Sequence, residues 1–591
     1  MKFYKVVLAA FIGTLIAMLI TFFVKVRVFT SLVSKTTQSE EVAKLQPNTV
    51  LYMNLDYDIP DRTAENPFGA FDFNTMESKD ATGMNEIIRN IENAKSDANI
   101  KGIYLDLSSI PTSTATLSEI RNKLVEFKES GKFIVTYAES YSQSAYYMAS
   151  VADHVYLNPQ GMLDLHGMAS QVMFYKHLFE KLDVEMQIVR GPNNRFKSAV
   201  EPYFLDKMSE ANREQLEKLL GTVWNEILTE IGNSRNISVE QLNQIADHME
   251  TYFDADKALE LGLVDQLYYK DQLLEELKSL TGSTKKVNII SNEKYAKSYK
   301  DKNVSKNEVA VIYASGQIFD GKGSEENIYS ADLSKIIRKA REDNNVKAIV
   351  LRVNSPGGSA LASDVIGREL DLTQKEKPVI VSMGNYAASG GYWISAKANY
   401  IFADPTTITG SIGVFGTFPN IKGLLNNKIG LTVDVAKTNE NADFGSITEP
   451  LTPFQYAKLQ EMVAKTYDNF TKRVAEGRNL RQSYVDSIGQ GRVWAGADAI
   501  ELGLVDQLGD LEDAIAYAAK QVQISDDYKV TEMPKQKDFF TRLLESMNKT
   551  DELDVAMKQK MGVYYNYFQG LENLQKNTGI QARLPFDLVI E

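Results

Sequence analysis

The sequence predicts an α/β protein made of two tandem copies of one domain, each with a parallel sheet, preceded by one N-terminal transmembrane helix. Three observations lead to this fold class. The chain of 591 residues repeats itself, short β-branched runs alternate with helical segments, and a long uncharged run lies near the N-terminus. A chain of this length is longer than the chains that usually fold around a single hydrophobic core, so we expect at least two domains.

The internal repeat is visible in three pairs of segments. They are ALELGLVDQL (258–267) with AIELGLVDQL (499–508), IKGIYLDLSS (100–109) with VKAIVLRVNS (346–355), and SQSAYYMASVADHVYLNP (142–159) with ASGGYWISAKANYIFADP (388–405). The last two pairs share an offset of 246 positions, and the first has an offset of 241, as changes in loop length produce. The predicted organisation is a first copy at 49–284, a linker at 285–305, a second copy at 306–525 and a C-terminal extension at 526–591.

Each copy alternates strands with helices. VAVIYAS (309–315), AIVLRVN (348–354) and PVIVSMG (378–384) are short apolar runs rich in β-branched residues, as is typical of buried parallel strands. Between the first two, residues 331–344 have the apolar spacing of a helix. Strands that alternate with helices predict an α/β fold with crossover connections.

The N-terminus predicts a membrane anchor at 1–29, followed by a polar tether at 30–48. Residues 6–24 (VVLAAFIGTLIAMLITFFV) carry no charge, and a helix of this length spans roughly 28 Å, close to a bilayer core of about 30 Å. A cleaved signal peptide is the alternative, but no small-x-small cleavage site follows the run closely. Lysine or arginine flanks both ends, so charge alone does not set the orientation.

Composition excludes several classes of function. The formal net charge of −13 argues against nucleic acid as a partner, because such binding needs a basic face. The chain has no cysteine, which excludes disulfides, a cysteine nucleophile and thiolate metal sites.

The two copies differ where chemistry is expected. The second copy has Ser389 where the first has Gln143, and it has the glycine-rich turn SPGG (355–358) where the first has SIPT (109–112). A lysine shows the opposite pattern, because RFKSAVEP (195–202) of the first copy aligns with DFGSITEP (443–450) of the second. One copy has therefore kept a serine and the other a lysine, which predicts one site assembled between two unlike copies.

Ser389 and Lys197 are the candidate nucleophile and general base. Ser389 follows an apolar strand and is flanked by small residues, which is the context of a nucleophile elbow. A serine hydroxyl needs a base, and a lysine can serve if burial lowers its pKa. A histidine base is the alternative, although all four histidines (His154, His166, His177 and His248) lie in the first copy.

Backbone N–H groups at Gly358 and Gly390 are candidates for an oxyanion hole. Glycines let a backbone approach a ligand closely with its N–H groups exposed to it. Taken alone, the Pro-Gly-Gly stretch is also an ordinary turn.

NSPGGSA (354–360), NYAASGGYWIS (385–395), TGSIGVFG (409–416) and RFKSAVEP (195–202) resemble the long, tandem form of the SppA signal peptide peptidases. The resemblance implies a fold like that of the ClpP and crotonase proteins and a Ser389/Lys197 dyad without metal or cofactor. It adds Ser411 as the residue that orients the lysine, and places the oxyanion donors at Gly358 and Gly390. It also implies cleavage of signal-peptide remnants, a homotetramer, and a globular body on the periplasmic side of the inner membrane.

Two other functions compete with a peptidase. A crotonase-type acyl-CoA enzyme would share the fold, but a membrane anchor and a serine-centred elbow fit it poorly. A catalytically silent membrane scaffold of protease ancestry would be favoured by loss of the serine or the lysine, and both are present.

Overall fold

The computed structural model describes residues 45–63, 71–72, 77–78, 82–299, 304–535 and 579–584. We call 45–299 the first half and 304–535 the second half. Among the described residues, no helix is both long and apolar enough to cross a membrane. The predicted anchor, including residues 6–24, lies outside the described residues.

Both halves alternate strands and helices, as predicted. The elements of the first half are β1 (Thr49–Asn54), β2 (Phe71–Asp72), β3 (Glu77–Ser78), α1 (Met84–Ser96), β4 (Ile100–Asp106), α2 (Thr114–Lys128), β5 (Phe133–Ala138), α3 (Gln143–Ala149), β6 (His154–Leu157), α4 (Lys176–Leu182), β7 (Glu185–Arg190), α5 (Glu201–Phe204), α6 (Glu210–Arg235), α7 (Val239–His248), α8 (Ala255–Glu260), β8 (Gln266–Leu267), α9 (Lys270–Thr281), β9 (Asn288–Ser291) and α10 (Asn292–Ala296).

The second half repeats this order with longer central strands. Its elements are β10 (Glu308–Ser315), β11 (Ile318–Phe319), β12 (Ile328–Tyr329), α11 (Ser330–Glu342), β13 (Val346–Ser355), β14 (Gly357–Ser359), α12 (Ala360–Thr373), β15 (Val379–Ala388), α13 (Gly390–Ser395), β16 (Tyr400–Ala403), β17 (Ile408–Gly410), β18 (Phe415–Asn420), α14 (Pro453–Arg478), α15 (Gln482–Ile488), β19 (Val493–Ala495), α16 (Gly496–Glu501), β20 (Gln507–Leu508), α17 (Leu511–Gln521) and β21 (Lys529–Met533), with β22 (Gly579–Arg583) beyond it.

Each half contains one main sheet, and the prediction of an α/β fold with parallel sheets is confirmed. The first sheet has the order β8-β6-β5-β4-β1-β9, with every pair parallel. The second has the order β19-β17-β15-β13-β10-β21, in which only β19 runs antiparallel to its neighbour. Its central strands are nearly continuous runs of buried aliphatic residues, because helices cover both faces of a parallel sheet.

The edge strands extend past the predicted domain limits. β9 lies in the segment expected to be a linker (285–305), and β21 lies in the C-terminal extension (526–591). Each pairs in parallel with the first strand of its own half, β9 with β1 and β21 with β10. These strands are short and only partly buried, so their sequences lack the apolar runs that mark central strands.

A third sheet joins the two halves. Its order is β12-β11-β14-β22-β18-β7, so strand β7 of the first half is part of a sheet built mainly from the second half. β7 pairs antiparallel with β18 along its whole length, from Phe415 opposite Arg190 to Asn420 opposite Glu185. The segment that follows β7 is thereby fixed against the second half.

A buried ion cluster also crosses between the halves. The Arg352 guanidinium of the second half lies 2.6 Å from Glu119 and 3.1 Å from Asp61 of the first half. Neither Arg352 nor Glu119 is exposed to solvent. A charge so deeply buried is tolerated only when it is paired, so this cluster fixes the relative position of the two halves.

Candidate active site

Ser389 lies at a sharp turn between strand β15 and helix α13. The strand runs four residues further than its apolar sequence predicts, to Ala388, and the helix begins at Gly390. The backbone of Ser389 has φ of 55°, a left-handed conformation that is uncommon outside glycine. Its N–H donates a 2.8 Å hydrogen bond to the carbonyl of Gly410, which holds the turn in place. The predicted nucleophile-elbow geometry is therefore present.

Lys197 lies in the loop after strand β7, and residues of both halves hold it. The N–H of Phe196 donates to the carbonyl of Gln490 at 3.0 Å. The buried Gln215 amide donates to the Phe196 carbonyl at 3.0 Å and to the Ser198 hydroxyl at 2.9 Å. The residues on each side of the lysine are thus fixed, and its side chain extends toward the second half.

The structure brings the serine, the lysine and Ser411 together. The Lys197 Nζ lies 2.9 Å from Ser389 Oγ, 2.9 Å from Ser411 Oγ and 3.1 Å from the Ser411 carbonyl oxygen. All three residues have an exposed fraction of 0%. Residues 192 positions apart thus meet within one chain, at the boundary between the halves.

Burial lowers the pKa of the Lys197 amine well below its ordinary value of 10.5, because the charged form loses its hydration. The nearest acidic residue in sequence, Glu201, does not offset this effect. Its carboxylate is held by Ser209, which donates from its hydroxyl at 2.6 Å and from its backbone N–H at 3.3 Å. A neutral amine beside a serine hydroxyl is able to accept the hydroxyl proton.

The glycine turn that carries Gly358 contacts the start of helix α13, where Gly390 lies, through the neighbouring residue Gly357. An ideal Cβ on Gly357 would lie 2.7 Å from the Gly390 nitrogen, so the glycine turn and the start of α13 are in contact. A Cβ on Gly358 would lie 2.1 Å from the Ile318 carbonyl oxygen, which excludes any side chain there. Both backbones can therefore approach one carbonyl group from the side of the elbow.

Three contacts of Lys197 were not predicted from the sequence. An ideal Cβ on Gly491 would lie 2.5 Å from the Lys197 Cβ, and one on Gly413 would lie 3.1 Å from its Cδ. The Phe415 ring centroid is 6.0 Å from Nζ. Comparison of the two copies could have identified Gly491 as a difference between them, because the aligned residue of the first copy, 241 positions earlier, is Glu250.

In the first half, Gln143 occupies the position that aligns with Ser389. Gln143 begins helix α3, as the residue after the Ser389 turn begins α13. Its side-chain oxygen accepts from the backbone N–H groups of His166 at 3.2 Å and Gly167 at 3.1 Å. An amide that occupies the turn in this way leaves no nucleophile at this position.

The histidines have partners elsewhere. His166 contacts Asp164, His177 contacts Glu180, and His248 contacts the Gln244 carbonyl. His154 stacks on Tyr156 with ring centroids 6.0 Å apart. The geometry gives no support to a histidine base for Ser389.

The fold and the elbow define a serine hydrolase of two tandem α/β domains, and comparison with known proteins is consistent with this class. The family model described as "Peptidase family S49" matches residues 126–284 and 371–525, one region in each half. The chain therefore belongs to peptidase family S49 and is a serine peptidase of the SppA type.

Curated proteins similar to this chain are named as proteases. "Protease 4" of Haemophilus influenzae is 38% identical over 75% of this chain and 74% of its own length. "Protease 4" of Salmonella typhi is 41% identical over 74% and 72%, respectively. The "Serine protease SPPA, chloroplastic" of Arabidopsis thaliana is 32% identical over 76% and 67%. Among solved structures, a ClpP1 mutant from Listeria monocytogenes is matched over 36% of this chain and 95% of its own, with 15% identity and a TM-score of 0.24.

Proposed function

We propose that this chain is a membrane-bound serine endopeptidase that degrades signal-peptide remnants with a Ser389/Lys197 dyad. One observation carries the catalytic part of the proposal: the Lys197 Nζ lies 2.9 Å from the Ser389 Oγ in a fully buried site. Membership of a serine peptidase family fits this assignment.

In the proposed mechanism, neutral Lys197 removes the Ser389 proton as Oγ attacks the carbonyl carbon of the peptide. A neutral amine has two N–H donors and one lone pair. The Ser411 carbonyl can only accept a hydrogen bond, and the Ser411 hydroxyl oxygen can accept the second, which directs the lone pair toward Ser389. Ser411 is thus proposed as the residue that orients the base.

The N–H groups of Gly358 and Gly390 are proposed to bind the oxyanion that forms in this step. Removal of one such donor typically costs about 3 to 4 kcal/mol of transition-state stabilisation. The protonated lysine then delivers its proton to the leaving amine, and a water molecule, deprotonated by the same lysine, hydrolyses the acyl-enzyme. Each step uses residues of the described site.

The membrane location and the substrate class rest on the sequence. The uncharged run at 6–24 has the length of a bilayer-spanning helix, and the motifs around the site resemble those of the SppA signal peptide peptidases. We propose a single-pass anchor in the inner membrane with the globular part on the periplasmic side. Apolar signal-peptide remnants would then reach the site from the bilayer in which they are left.

We propose a homotetramer, as the family resemblance implies, and two described segments are candidates for the contact between copies. By the repeat offsets, 433–438 corresponds to β7 and 169–174 to β18, which pair inside the chain. Within the described ranges, neither segment forms a strand, and Val433, Val435 and Met173 are 42%, 37% and 51% exposed. Pairing of 433–438 of one copy with 169–174 of the next would form a head-to-tail contact, and a ring of four copies forms if the rotation between neighbours is a quarter turn.

Light scattering of the detergent-solubilised chain tests this assembly. Double substitution Val433→Asp with Val435→Asp should reduce the oligomer to monomers. Val530→Asp, at a residue with 45% exposure on the edge strand β21, should leave the oligomer intact. An unchanged mass for the double variant would contradict the proposed contact.

Peptide hydrolysis by variants of the full chain tests the dyad. Ser389→Ala and Lys197→Met should each lower kcat/KM by about 10,000-fold or more, because the two residues act as one unit. Methionine fills the volume of the lysine without an amine, and circular dichroism should show that the variants stay folded. Near-native activity of Lys197→Met would show that lysine is not the base.

Absence of hydrolysis of any apolar peptide by the wild-type chain would favour the silent scaffold, and acyl-CoA turnover would favour a crotonase-type enzyme.

A further inference from the structure

The glutamine Gln215, on helix α6, lies between the loop that carries Lys197 and strand β19 of the second half. It is 1% exposed, and both ends of its side-chain amide are hydrogen-bonded. Its Nε2 donates to the Phe196 carbonyl at 3.0 Å and to the Ser198 hydroxyl at 2.9 Å. Its Oε1 accepts from the Val493 N–H at 3.3 Å. One buried side chain therefore joins the lysine loop to the second half.

The orientation of this amide is fixed by its backbone partners. The Phe196 carbonyl can only accept a hydrogen bond, and the Val493 N–H can only donate one. Nε2 must therefore face Phe196, and Oε1 must face Val493. A third acceptor, Asn212 Oδ1, lies 3.1 Å from Nε2 and favours the same orientation. A reversed amide would leave buried donors and acceptors unpaired, which is costly.

The two backbone groups at the ends of the amide belong to peptide units next to the site. The Phe196 carbonyl is part of the planar peptide unit that also contains the Lys197 nitrogen. The Val493 N–H is part of the peptide unit that also contains the Arg492 carbonyl, and this carbonyl accepts the Ser411 N–H at 2.7 Å. Because a peptide unit is rigid, a continuous hydrogen-bonded connection runs from the lysine backbone through the glutamine to the Ser411 backbone.

The separation of these two backbones decides where the lysine amine lies. The Lys197 Nζ contacts both the hydroxyl and the carbonyl oxygen of Ser411, and it lies 2.9 Å from Ser389 Oγ. Lys197 and Ser411 come from different halves, so their side chains meet correctly only if the two backbones keep a fixed distance. A displacement of a catalytic group by about 1 Å can cost about 100-fold in rate. A side chain that links both backbones limits such displacement.

Comparison of the two copies gives independent support. Helices α6 and α14 both contain 26 residues, and each begins after a hydroxyl N-cap, so they align without a gap. In this alignment Gln215 corresponds to Lys458, an exposed residue that pairs with a carboxylate on its own helix. The second copy also has Gly445 in place of Lys197. The glutamine and the lysine are therefore present together in one copy and absent together from the other.

We propose that Gln215 is a positioning residue of the peptidase reaction, which keeps the Lys197 backbone at a fixed distance from the Ser411 backbone. This inference rests on the proposed function, since it requires Lys197 to be the base. The glutamine acts through the lysine and contacts neither Ser389 nor the amine in the described hydrogen bonds. Its effect should therefore appear in the rate of the chemical step rather than in substrate binding.

Steady-state hydrolysis of an apolar peptide by the full-length chain in detergent tests the proposal. Gln215→Met has a side chain of similar size without an amide, and it should lower kcat at least about tenfold with KM little changed, because the base is displaced while the substrate groove is intact. The value of kcat is referred to the folded fraction, which circular dichroism measures. Should Gln215→Met not fold, Gln215→Asn takes its place with the same expected outcome, since its amide is one methylene too short to span both partners.

A double-mutant cycle with Ser411→Ala separates positioning from a general effect on stability. If the glutamine acts by holding the lysine against Ser411, Gln215→Met should lower kcat by a factor at least about three times smaller in the Ser411→Ala background than in the wild-type background. Two factors that simply multiply would show that the residues act independently and would overturn the inference.

Asn90→Leu is the matched control. Asn90 is also a fully buried amide that connects two segments, but its partner is Asn292, in the first half. This variant should leave kcat and KM unchanged, and a loss equal to that of Gln215→Met would assign the effect to general destabilisation and overturn the inference. A wild-type chain that hydrolyses the peptide while Gln215→Met keeps its kcat overturns the inference and leaves the proposed function standing. A wild-type chain without hydrolysis overturns both.

Discussion

Gly491 of the second half is in direct contact with Lys197 of the first. An ideal Cβ on Gly491 would lie 2.5 Å from the Lys197 Cβ and 2.7 Å from its backbone nitrogen. The lysine therefore reaches Ser389 only because the facing residue lacks a side chain, and the second half shapes the position of the base as well as supplying the nucleophile.

Gly491→Ala should lower kcat by about 100-fold, because even a displacement of the base by about 1 Å has effects of this size. Steady-state kinetics on a peptide substrate measures it. Gly262→Ala is the matched control, since Gly262 also has a left-handed backbone (φ of 75°, against 86° for Gly491) but no atom lies within 4 Å of an ideal Cβ at that residue. Equal loss of activity in both variants would assign the effect to backbone strain alone.

The activity should rise with pH as the Lys197 amine loses its proton. Burial lowers the pKa of this amine well below 10.5, and only the neutral form can accept the Ser389 proton, so kcat/KM should fall as the pH drops through the lowered pKa. A pH–rate profile of the wild-type chain measures this limb. A profile that is unchanged in Lys197→Met would show that another group is responsible.

The same pKa shift links Lys197 to stability. The folded-state pKa is lowered, so between that pKa and the ordinary value the unfolded chain binds more protons, and stability rises with pH across this window. Lys197→Met should remove this pH dependence. The free energy of unfolding of the variant should therefore exceed that of the wild-type chain by the largest amount at the low-pH end of the window. Thermal denaturation of both proteins at a series of pH values tests the difference in slope.

Ser411→Ala should reduce kcat by about 10- to 100-fold without abolishing it. The variant loses the Ser411 hydroxyl contact to Lys197, which is worth roughly 1.5 to 3 kcal/mol once the amine becomes charged by taking the Ser389 proton, while the Ser411 carbonyl still contacts the amine at 3.1 Å. Ser150→Ala removes another buried hydroxyl, one that donates to the Tyr147 carbonyl and has no contact with the Lys197 amine, and it should leave kcat unchanged. Full inactivation by Ser411→Ala would indicate a direct part in proton transfer.

Glu119→Ala should destabilise the folded chain by about 3 to 5 kcal/mol, because it leaves the fully buried Arg352 with one of its two carboxylate partners missing. Denaturant unfolding measures the loss. Glu129→Ala, which removes an exposed ion pair with Lys95, is the control and should change stability by less than about 1 kcal/mol. A similar small change for Glu119→Ala would mean that the halves are held together mainly by apolar contacts and β7.

The sequence sufficed for much of the fold and for the main residues of the site. Apolar runs marked the central strands. The comparison of copies identified Ser389 and Lys197, because each of these residues is present in one copy and replaced by a different residue in the other. The edge strands β9 and β21 and the inserted β22 were not predicted, since their positions depend on partners distant in sequence rather than on their own apolar pattern. For the same reason no local pattern identified the contact of Gly491 with Lys197.

The left-handed backbone at Ser389 restricts which nucleophiles evolution could have placed at this elbow. With φ of 55°, the position disfavours β-branched residues, whose second substituent on Cβ crowds the backbone in this conformation. Threonine, although it also carries a hydroxyl, is therefore a poor replacement, whereas cysteine keeps the unbranched shape of serine. The turn that directs the Ser389 hydroxyl toward Lys197 thus also limits which nucleophilic side chains this position can carry.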